Sequence, residues 1–282
     1  MPGTLFVVAT PIGNLEDLTM RALRVLREVS VIAAEDTRRT SHLLARYAIQ
    51  TPMTSVHEHN EGKKAAALLA RLAAGESVAL VSDAGTPTIS DPGQHLIRQA
   101  IDAGIRVEPV PGPNAAIATL AVSGFKADSF TFLGFPPTRS KARFDWFTKL
   151  AASAPVAVFY EAPHRVRRTL EEVRSVLGDC EVVIGRELTK KHEELVRGPI
   201  TTAFKAIPEP VGEFTVVVNI GQSPERLDIK RPDDAAIQHE FGEMTESTRA
   251  PRRQHIALLA TKYGMTANDV YAAIERAKKS VE

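Results

Sequence analysis

The chain has 282 residues, with 44% hydrophobic and 24% charged side chains, 17 Gly and 18 Pro. That is about two domains' worth of ordinary globular sequence, and it excludes disorder, collagen-like repeats and heptad fibres. Lys and Arg number 35 against 34 Asp and Glu, so no chain-wide cationic field advertises a nucleic-acid partner. One cysteine, Cys180, rules out an intramolecular disulfide and a Cys-rich metal site. The first apolar run, Leu5 to Ala9, is too short for a signal or a membrane span. The expectation is a soluble, cytoplasmic protein.

In chain order, Leu5 to Val8 reads as a buried strand, followed by the loop Thr10-Pro11-Ile12-Gly13-Asn14. Apolar positions at Leu18, Ala22, Val25, Leu26 and Val29 are spaced for a helix. Val31 to Ala34 is the next strand, and Leu43 to Tyr47 the next helix. Lys63 to Ala74 is a helix ending at Gly75, where a C′ glycine is expected. Ser77 to Val81 is a strand, Pro92 to Ala103 a helix with Asp91 as its cap, and Val107 to Val110 a strand. This alternation implies βαβ crossovers and a mostly parallel sheet.

The alternation resumes after Gly124, with strands at Phe130–Leu133, Val156–Tyr160, Glu181–Ile184 and Phe214–Ile220 and a helix at Val166–Leu177. Mixed strand pairing is expected here. Residues 222–234 are polar and broken by proline, and read as a linker. Two helices follow, Arg252–Tyr263 and Ala267–Lys279, the latter with Thr266 as its cap. The division is an α/β domain over 1–120, a second over 124–222 and a helical appendix over 235–282. Charge is uneven across it: residues 225–246 carry three basic and seven acidic side chains, residues 247–282 seven and three. Residues 138–191 carry eleven basic against seven acidic, with Arg139, Lys141 and Arg143 on one loop that suits phosphate contacts or a solvated face.

No G-x-G-x-x-G after a strand, P-loop, G-x-S-x-G elbow or H-E-x-x-H helix is present. What stands at the strand ends are loops of small and turn-forming residues, Ser82 to Gly93 and Pro111 to Ala116. In open α/β sheets ligands bind at those ends, where glycine lets the backbone approach closely. Tight βα turns are the alternative reading of either loop. Glu35-Asp36-Thr37-Arg38-Arg39-Thr40 is either an ion-paired loop or a polar mouth holding phosphate and a hydroxyl. In His57-Glu58-His59-Asn60-Glu61 the two histidines share one side of an extended segment. No partner spacing announces a metal site, and a substrate-facing histidine is the reading preferred. Glu161 and Arg165 serve the start of a helix or face the same cleft.

Taken together, these loops resemble one family. Val8-Ala9-Thr10-Pro11-Ile12-Gly13-Asn14-Leu15, Ala33 to Thr40, His57-Glu58-His59-Asn60, Val81 to Pro87, Ser90-Asp91-Pro92-Gly93, Pro111-Gly112-Pro113, Phe159-Tyr160-Glu161, Pro163-His164-Arg165 and Arg186 to Lys190 run in the order seen in the ribosomal RNA small subunit methyltransferase I family of the tetrapyrrole methylase superfamily. The resemblance covers about residues 4–221. Val56 stands where an aromatic is common and Ala162 where serine is common. The first loop lacks the Gly-rich G-x-G-P-G-D pattern of the porphyrin-modifying relatives.

The resemblance implies an α/β protein with a two-domain tetrapyrrole-methylase-like fold, parallel and mixed sheets, and a small C-terminal helical appendix. It implies a homodimer, S-adenosylmethionine in the cleft between domains, and 2′-O-methylation of a cytidine in the decoding region of 16S rRNA in the 30S subunit. Ala84, Gly85, Thr86, Ile89, Asn114, Ala115 and Glu161 are the expected cofactor contacts. Because the ribose hydroxyl is a weak acid, a base is expected: Asp36 or Glu58, oriented by His57 and His59. Arg38, Arg39, His59, Asn14 and Arg165 are the expected substrate contacts, and no metal is expected. Two alternatives stand beside this reading. A small-molecule methylase is disfavoured by the Thr-Pro-Ile-Gly-Asn loop and the basic C-terminal helices. A non-catalytic RNA-binding assembly factor is disfavoured by uninterrupted, glycine-bearing cofactor-type loops.

Overall fold

The apolar runs assemble into two five-stranded sheets. The structure, a computed structural model, describes residues 2–57, 60–207, 211–221, 233–247, 251–263, 265 and 267–279. The first sheet contains β1 (Thr4–Val8), β2 (Val31–Ala34), β3 (Met53–Ser55), β4 (Val78–Val81) and β5 (Arg106–Val110), all parallel, in the order β3-β2-β4-β1-β5. Every residue of β2 and β4 is buried, as unbroken apolar runs in a sheet covered on both faces must be. Helices α1 (Met20–Glu28) and α2 (Thr37–Arg46) cover one face, setting Val25, Leu26, Leu43 and Leu44 on Val8, Ile32 and Val81. Helices α3 (Glu61–Ala73) and α4 (Gln94–Asp102) cover the other, setting Leu68, Leu72 and Leu96 on Leu5, Val31 and Leu80.

This strand order contains a switch point. From β1 the chain runs through α1 toward the β3 edge; from β4, its neighbour, it runs through α4 to the β5 edge on the opposite face. The loops leaving β1 and β4 therefore part, and a crevice opens between them at the carboxyl ends of the strands.

The second sheet contains β6 (Phe130–Phe132), β7 (Val156–Glu161), β8 (Glu181–Arg186), β9 (Glu194–Pro199) and β10 (Phe214–Asn219) in the order β6-β7-β10-β8-β9. Pairing is mixed, as expected: β6 and β7 are parallel, while β10 is antiparallel to β7 and β8, and β9 to β8. Three helices, α6 (Ser140–Ala151), α7 (Pro163–Leu177) and α8 (Ile200–Ala206), bury one face around Phe159, Leu170, Ile184 and Val216. On the other face α5 (Ala115–Ala121) sets Ala116 against Val156, Val158, Val183 and Val217. A third unit, α9 (Asp234–Ser247), α10 (Arg252–Lys262) and α11 (Ala267–Lys279), closes on its own core of Ile237, Ile256, Leu259, Val270 and Ile274. It meets the second domain where α10 packs on α7. No helix among the described residues is long and apolar enough to cross a membrane.

Several sequence expectations are corrected. The segment Arg139–Arg143 is not a loop: α6 begins at Ser140, and Arg143 is buried, ion-paired to Glu172 and bonded to the Thr169 hydroxyl. It is not available to phosphate. Helix α2 starts at Thr37, not Leu43, because Asp36 caps it through the Arg38 N–H. Helix α4 starts at Gln94, behind Gly93 rather than Asp91. Beyond the linker there are three helices among the described residues, since α9 begins at Asp234. The remainder of that linker, residues 222–232, and the Thr266 cap lie outside the described residues. Elements unread in the sequence are β3, α5, α6, β9, α8 and α9. Most are short, and β9 carries Gly198 and Pro199 at its end.

Because the C-terminal helices bury their own core, a chain ended at Gly221 is expected to keep the cooperative thermal unfolding of the two α/β domains, with a Tm within a few degrees of the full chain by circular dichroism.

Candidate functional site

The crevice is closed at its base by a backbone bridge between the two parting loops. The Thr10 N–H donates to the Gly85 carbonyl at 2.8 Å, and the Gly85 N–H to the Thr10 carbonyl at 3.0 Å. The Thr10 hydroxyl donates to the Ser82 carbonyl at 3.2 Å. Gly85 has φ +79, a left-handed conformation that suits glycine. On the far side of β1, the Thr86 hydroxyl donates to the Pro113 carbonyl at 3.2 Å, which ties the β4 loop to the β5 loop. Asn114 caps α5 by accepting the Ile117 N–H. Ala84, Gly85, Thr86, Asn114 and Ala115 therefore line one continuous edge. Ile89, 39% exposed, stands further out on the same loop.

A second brace joins β2 to β4 and gathers carboxylates. The Glu35 carboxylate accepts the Asp83 N–H at 3.3 Å, and the Asp83 carboxylate accepts the Asp36 N–H at 2.9 Å. Arg39 leans on Asp83 at 3.6 Å. Burial, with Asp83 and Asp36 adding repulsion, raises the pKa of Glu35 above the usual carboxylate range. Asp91 is pushed up to about 7, first by burial and then by the charges of Glu35 and Asp83, against a hydrogen bond from Ser82. The opposite holds for Asp36. Hydrogen bonds from the Arg38 side chain and N–H hold it down at about 2.

The second domain presents the carboxyl ends of β6, β7 and β8 to this crevice. After β8, Glu187 and Thr189 take left-handed φ values of 50 and 66. The turn is held by Glu187 accepting from Lys190 Nζ at 2.9 Å and from the Glu213 N–H at 2.9 Å. It docks on the first loop: the Asn14 N–H donates to the Thr189 hydroxyl at 2.9 Å. A Cβ on Gly13 would lie 2.5 Å from Lys190 Cγ and 2.9 Å from the Leu188 carbonyl oxygen, so a residue without a side chain is required there. After β7, Glu161 is fully enclosed. Its carboxylate accepts from Arg165 at 2.6 Å, the Ala162 N–H at 2.7 Å and the Thr169 hydroxyl at 2.5 Å. Tyr160 faces the crevice, with its phenol against the Ala116 backbone and in the field of Asp91; burial first, then that charge, raises its pKa.

The described sequence-derived site residues fall into four groups. Ala84, Gly85, Thr86, Ile89, Asn114 and Ala115 come together at the switch point, with Asn14 across the crevice on the docked first loop. Asp36 and Arg38 are bound to each other, and a carboxylate held at about 2 is a poor proton acceptor near neutral pH. Glu161 and Arg165 form a buried pair whose partners are internal, and Arg165 also donates to the Pro136 carbonyl at 3.2 Å. His57 sits at the end of the edge strand β3, where its Nε2 is 2.8 Å from the Asn60 side-chain amide and its N–H donates to the Asn60 Oδ1. Glu58 and His59 lie outside the described residues. Among the described residues no group of three His, Cys, Asp or Glu side chains is placed to hold a metal ion.

Three residues unread as site members complete the crevice: Asp91, Tyr160 and Phe135. The Ser-Asp-Pro-Gly run hid Asp91 as a helix cap, although a second aspartate eight positions after Asp83 on one loop is a legible signal of paired carboxylates. Nothing in the sequence marks Phe135, because its display depends on contacts from three distant elements.

A family model described as Tetrapyrrole (Corrin/Porphyrin) Methylases matches residues 4–203. The Xylella fastidiosa protein named ribosomal RNA small subunit methyltransferase I is 49% identical over 222 residues, covering 77% of this chain and 81% of its own. The Haemophilus influenzae protein of the same name is 41% identical over 276 residues, 96% of each chain. The chain belongs to the tetrapyrrole methylases, in their ribosomal RNA small subunit methyltransferase I branch. The fold is shared more widely in the tetrapyrrole methylases. A Thermus thermophilus uroporphyrin-III C-methyltransferase, solved with S-adenyl homocysteine, superposes at a TM-score of 0.56 with 18% identity, covering 77% of this chain and 98% of that one.

Replacing Glu161 with Ala strands the Arg165 guanidinium and the Thr169 hydroxyl, and is expected to destabilise the protein by about 3–5 kcal/mol in a chemical denaturation measurement. Glu161→Gln is expected to cost less, since its amide still accepts from Thr169. The folded-state pKa of Asp91, about 7, lies above its ordinary value of 3.8. Its stabilising contribution is therefore complete below the lower value and lost as pH rises through the higher. The Tm of Asp91→Asn, measured against the parent, is expected to rise between about pH 4 and pH 7 and to level above that.

Proposed function

We propose that this chain transfers a methyl group from S-adenosylmethionine to the ribose 2′-hydroxyl of a cytidine in the decoding region of 16S rRNA. The observation that carries the reading is the composition of the switch-point crevice. Main-chain carbonyls, amides and hydroxyls from Ala84 to Thr86 and Pro113 to Ala115 sit beside the carboxylates of Glu35, Asp83 and Asp91. Such a set repels polyphosphates and suits a phosphate-free nucleoside bearing a cationic centre. The names of the relatives, at 41% and 49% identity, support the same class of substrate.

Ala84, Gly85, Thr86, Ile89, Asn114 and Ala115 are the residues that would hold the cofactor. When bound, it supplies an electrophilic methyl on a cationic sulfur, so the protein's task is chiefly alignment and proton removal. Of the two base candidates read from the sequence, Asp36 and Glu58, the first gives way in this reading to Asp91, and the second lies outside the described residues. The Asp91 carboxylate, poised near neutrality in the crevice, accepts the proton of the 2′-hydroxyl as the oxygen is alkylated. His57 stands at this mouth, at the end of β3. Arg38 and Arg39 are exposed at the rim of β2, where they meet phosphates; Asn14 and Arg165 flank the crevice from the docked loop and from α7.

The reading includes a cytoplasmic homodimer. Ile117, Val122 and Phe130, all exposed, lie on or beside α5 and the edge strand β6, and this reading gives that surface to the second copy.

Tritiated methyl transfer from S-adenosylmethionine is the test, with 30S subunits, free rRNA and a tetrapyrrole as acceptors. Label in the 2′-O-methyl nucleoside of rRNA is expected; labelled macrocycle with unlabelled RNA overturns the reading. The single-turnover rate is expected to rise as Asp91 loses its proton through about pH 7 and to level above it. Asp91→Asn should lower the plateau by about 100-fold or more and remove this pH dependence.

A further inference from the structure

The loop that follows β6, Gly134-Phe135-Pro136-Pro137, is held with unusual completeness. The Leu133 carbonyl accepts from the Trp146 indole N–H at 3.0 Å, and the Gly134 carbonyl from the Tyr160 N–H at 2.9 Å. The Pro136 carbonyl accepts from Arg165 at 3.2 Å, and the Pro137 carbonyl from Arg143 at 3.1 Å. Both arginines are themselves locked, Arg165 on Glu161 and Arg143 on Glu172 and Thr169. Two prolines restrict the backbone further. Yet the side chain in the middle of this clamp, Phe135, is 51% exposed.

An exposed aromatic fixed by its surroundings is a surface prepared for contact rather than a core residue left over. Its position supports that. Gly134, at φ +61, turns the chain toward the β4 loop, and a Cβ there would lie 3.6 Å from Ser90 Oγ, next to Asp91. One side of the Phe135 ring leans on Tyr160, at 5.4 Å between centroids and a 55° tilt, and the Tyr160 ring packs edge-on against Phe132. The other large exposed aromatics among the described residues, Phe130 and Tyr271, stand at the start of β6 and in the C-terminal unit, away from the carboxyl ends of the strands.

A ribose that is to be alkylated inside a crevice must leave its stack, and its base then needs a new surface to lie against. We propose that Phe135 is that surface: a preset platform on which the base of the target nucleotide stacks while its ribose reaches Asp91. Tyr160 backs the platform, and Arg143 and Arg165 act as positioning residues that hold the loop. This rests on the RNA-methylating reading above. The occupant is an RNA base rather than the cofactor's adenine, because the ring is half exposed and belongs to neither of the loops joined by the Thr86–Pro113 contact that would hold the cofactor.

The experiment compares the wild type with Phe135→Ala and Phe135→Trp. It measures methyl transfer to 30S subunits, binding of S-adenosylhomocysteine by calorimetry, and quenching of pyrrolocytidine in a short single-stranded RNA. Phe135→Ala is expected to lose about 10-fold or more in kcat/KM for RNA, with cofactor affinity and Tm unchanged and quenching abolished. Phe135→Trp is expected to restore both transfer and quenching. Transfer by Phe135→Ala within about 2-fold of wild type overturns the proposal, because losing a stacked base costs more than that. An equal loss of cofactor affinity also overturns it, by making the ring a wall of the cofactor pocket. A wild type that methylates no RNA overturns the parent reading instead. In that case quenching that is present with wild type and absent with Phe135→Ala still identifies Phe135 as a base contact, and equal quenching by both refutes it.

Discussion

The pair of hydrogen bonds between Thr10 and Gly85 joins β1 and β4 just past the last residues of the strands, where their loops part toward opposite edges of the sheet. Parallel strands oblige every connection to cross a face of the sheet, and only at a switch point do neighbouring loops diverge. The bridge keeps the floor of the resulting crevice narrow, while Thr86 on Pro113 and Glu35 on Asp83 brace it from either side. The carboxylates, the second-domain turn at Glu187–Thr189 and the aromatic rim are all placed relative to that floor.

Electrostatics then separates residues that look alike. Asp36 and Asp91 are both aspartates in loops after strands, and in the sequence only Asp91 looks like a helix cap, yet it is Asp36 that caps a helix. The Arg38 guanidinium and N–H stabilise the charge of Asp36, so it stays ionised. Asp91 is displaced from the helix start by Gly93 and is left half-buried near two other carboxylates, where ionisation is disfavoured. The same logic distinguishes the arginines. Arg143 lies against Glu172 and Thr169 in the interior, whereas Arg38 and Arg39 reach solvent. Near-equal totals of acid and base across the chain conceal this, because cancellation over 282 residues says nothing of which charges share a surface.

Much of the architecture is legible along the chain. The alternation of apolar runs with helical spacing places eight of the ten described strands, β1, β2, β4, β5, β6, β7, β8 and β10, within about two residues. The elements that escape are short or polar: β3 has three residues, α5 and α8 seven each. Their stability comes from what they pack on, as when α5 sets Ala116 on Val158 and Val217. The turn-rich loops 82–93 and 111–116 are legible as a ligand site because glycine and proline at strand ends carry a conformational meaning of their own.

The amino-acid sequence by itself determined the fold class, the family and the loops that face the crevice, since these follow from periodicity and from motifs whose residues are neighbours in the chain. Only the tertiary structure decided which carboxylate burial raises toward neutrality and which aromatic is displayed. Burial, the field of Glu35 and Asp83 at Asp91, and the arginine grip on Pro136 and Pro137 are sums over residues distant in sequence. No local pattern encodes those sums, because a pKa and a rigid loop are properties of an environment rather than of a side chain.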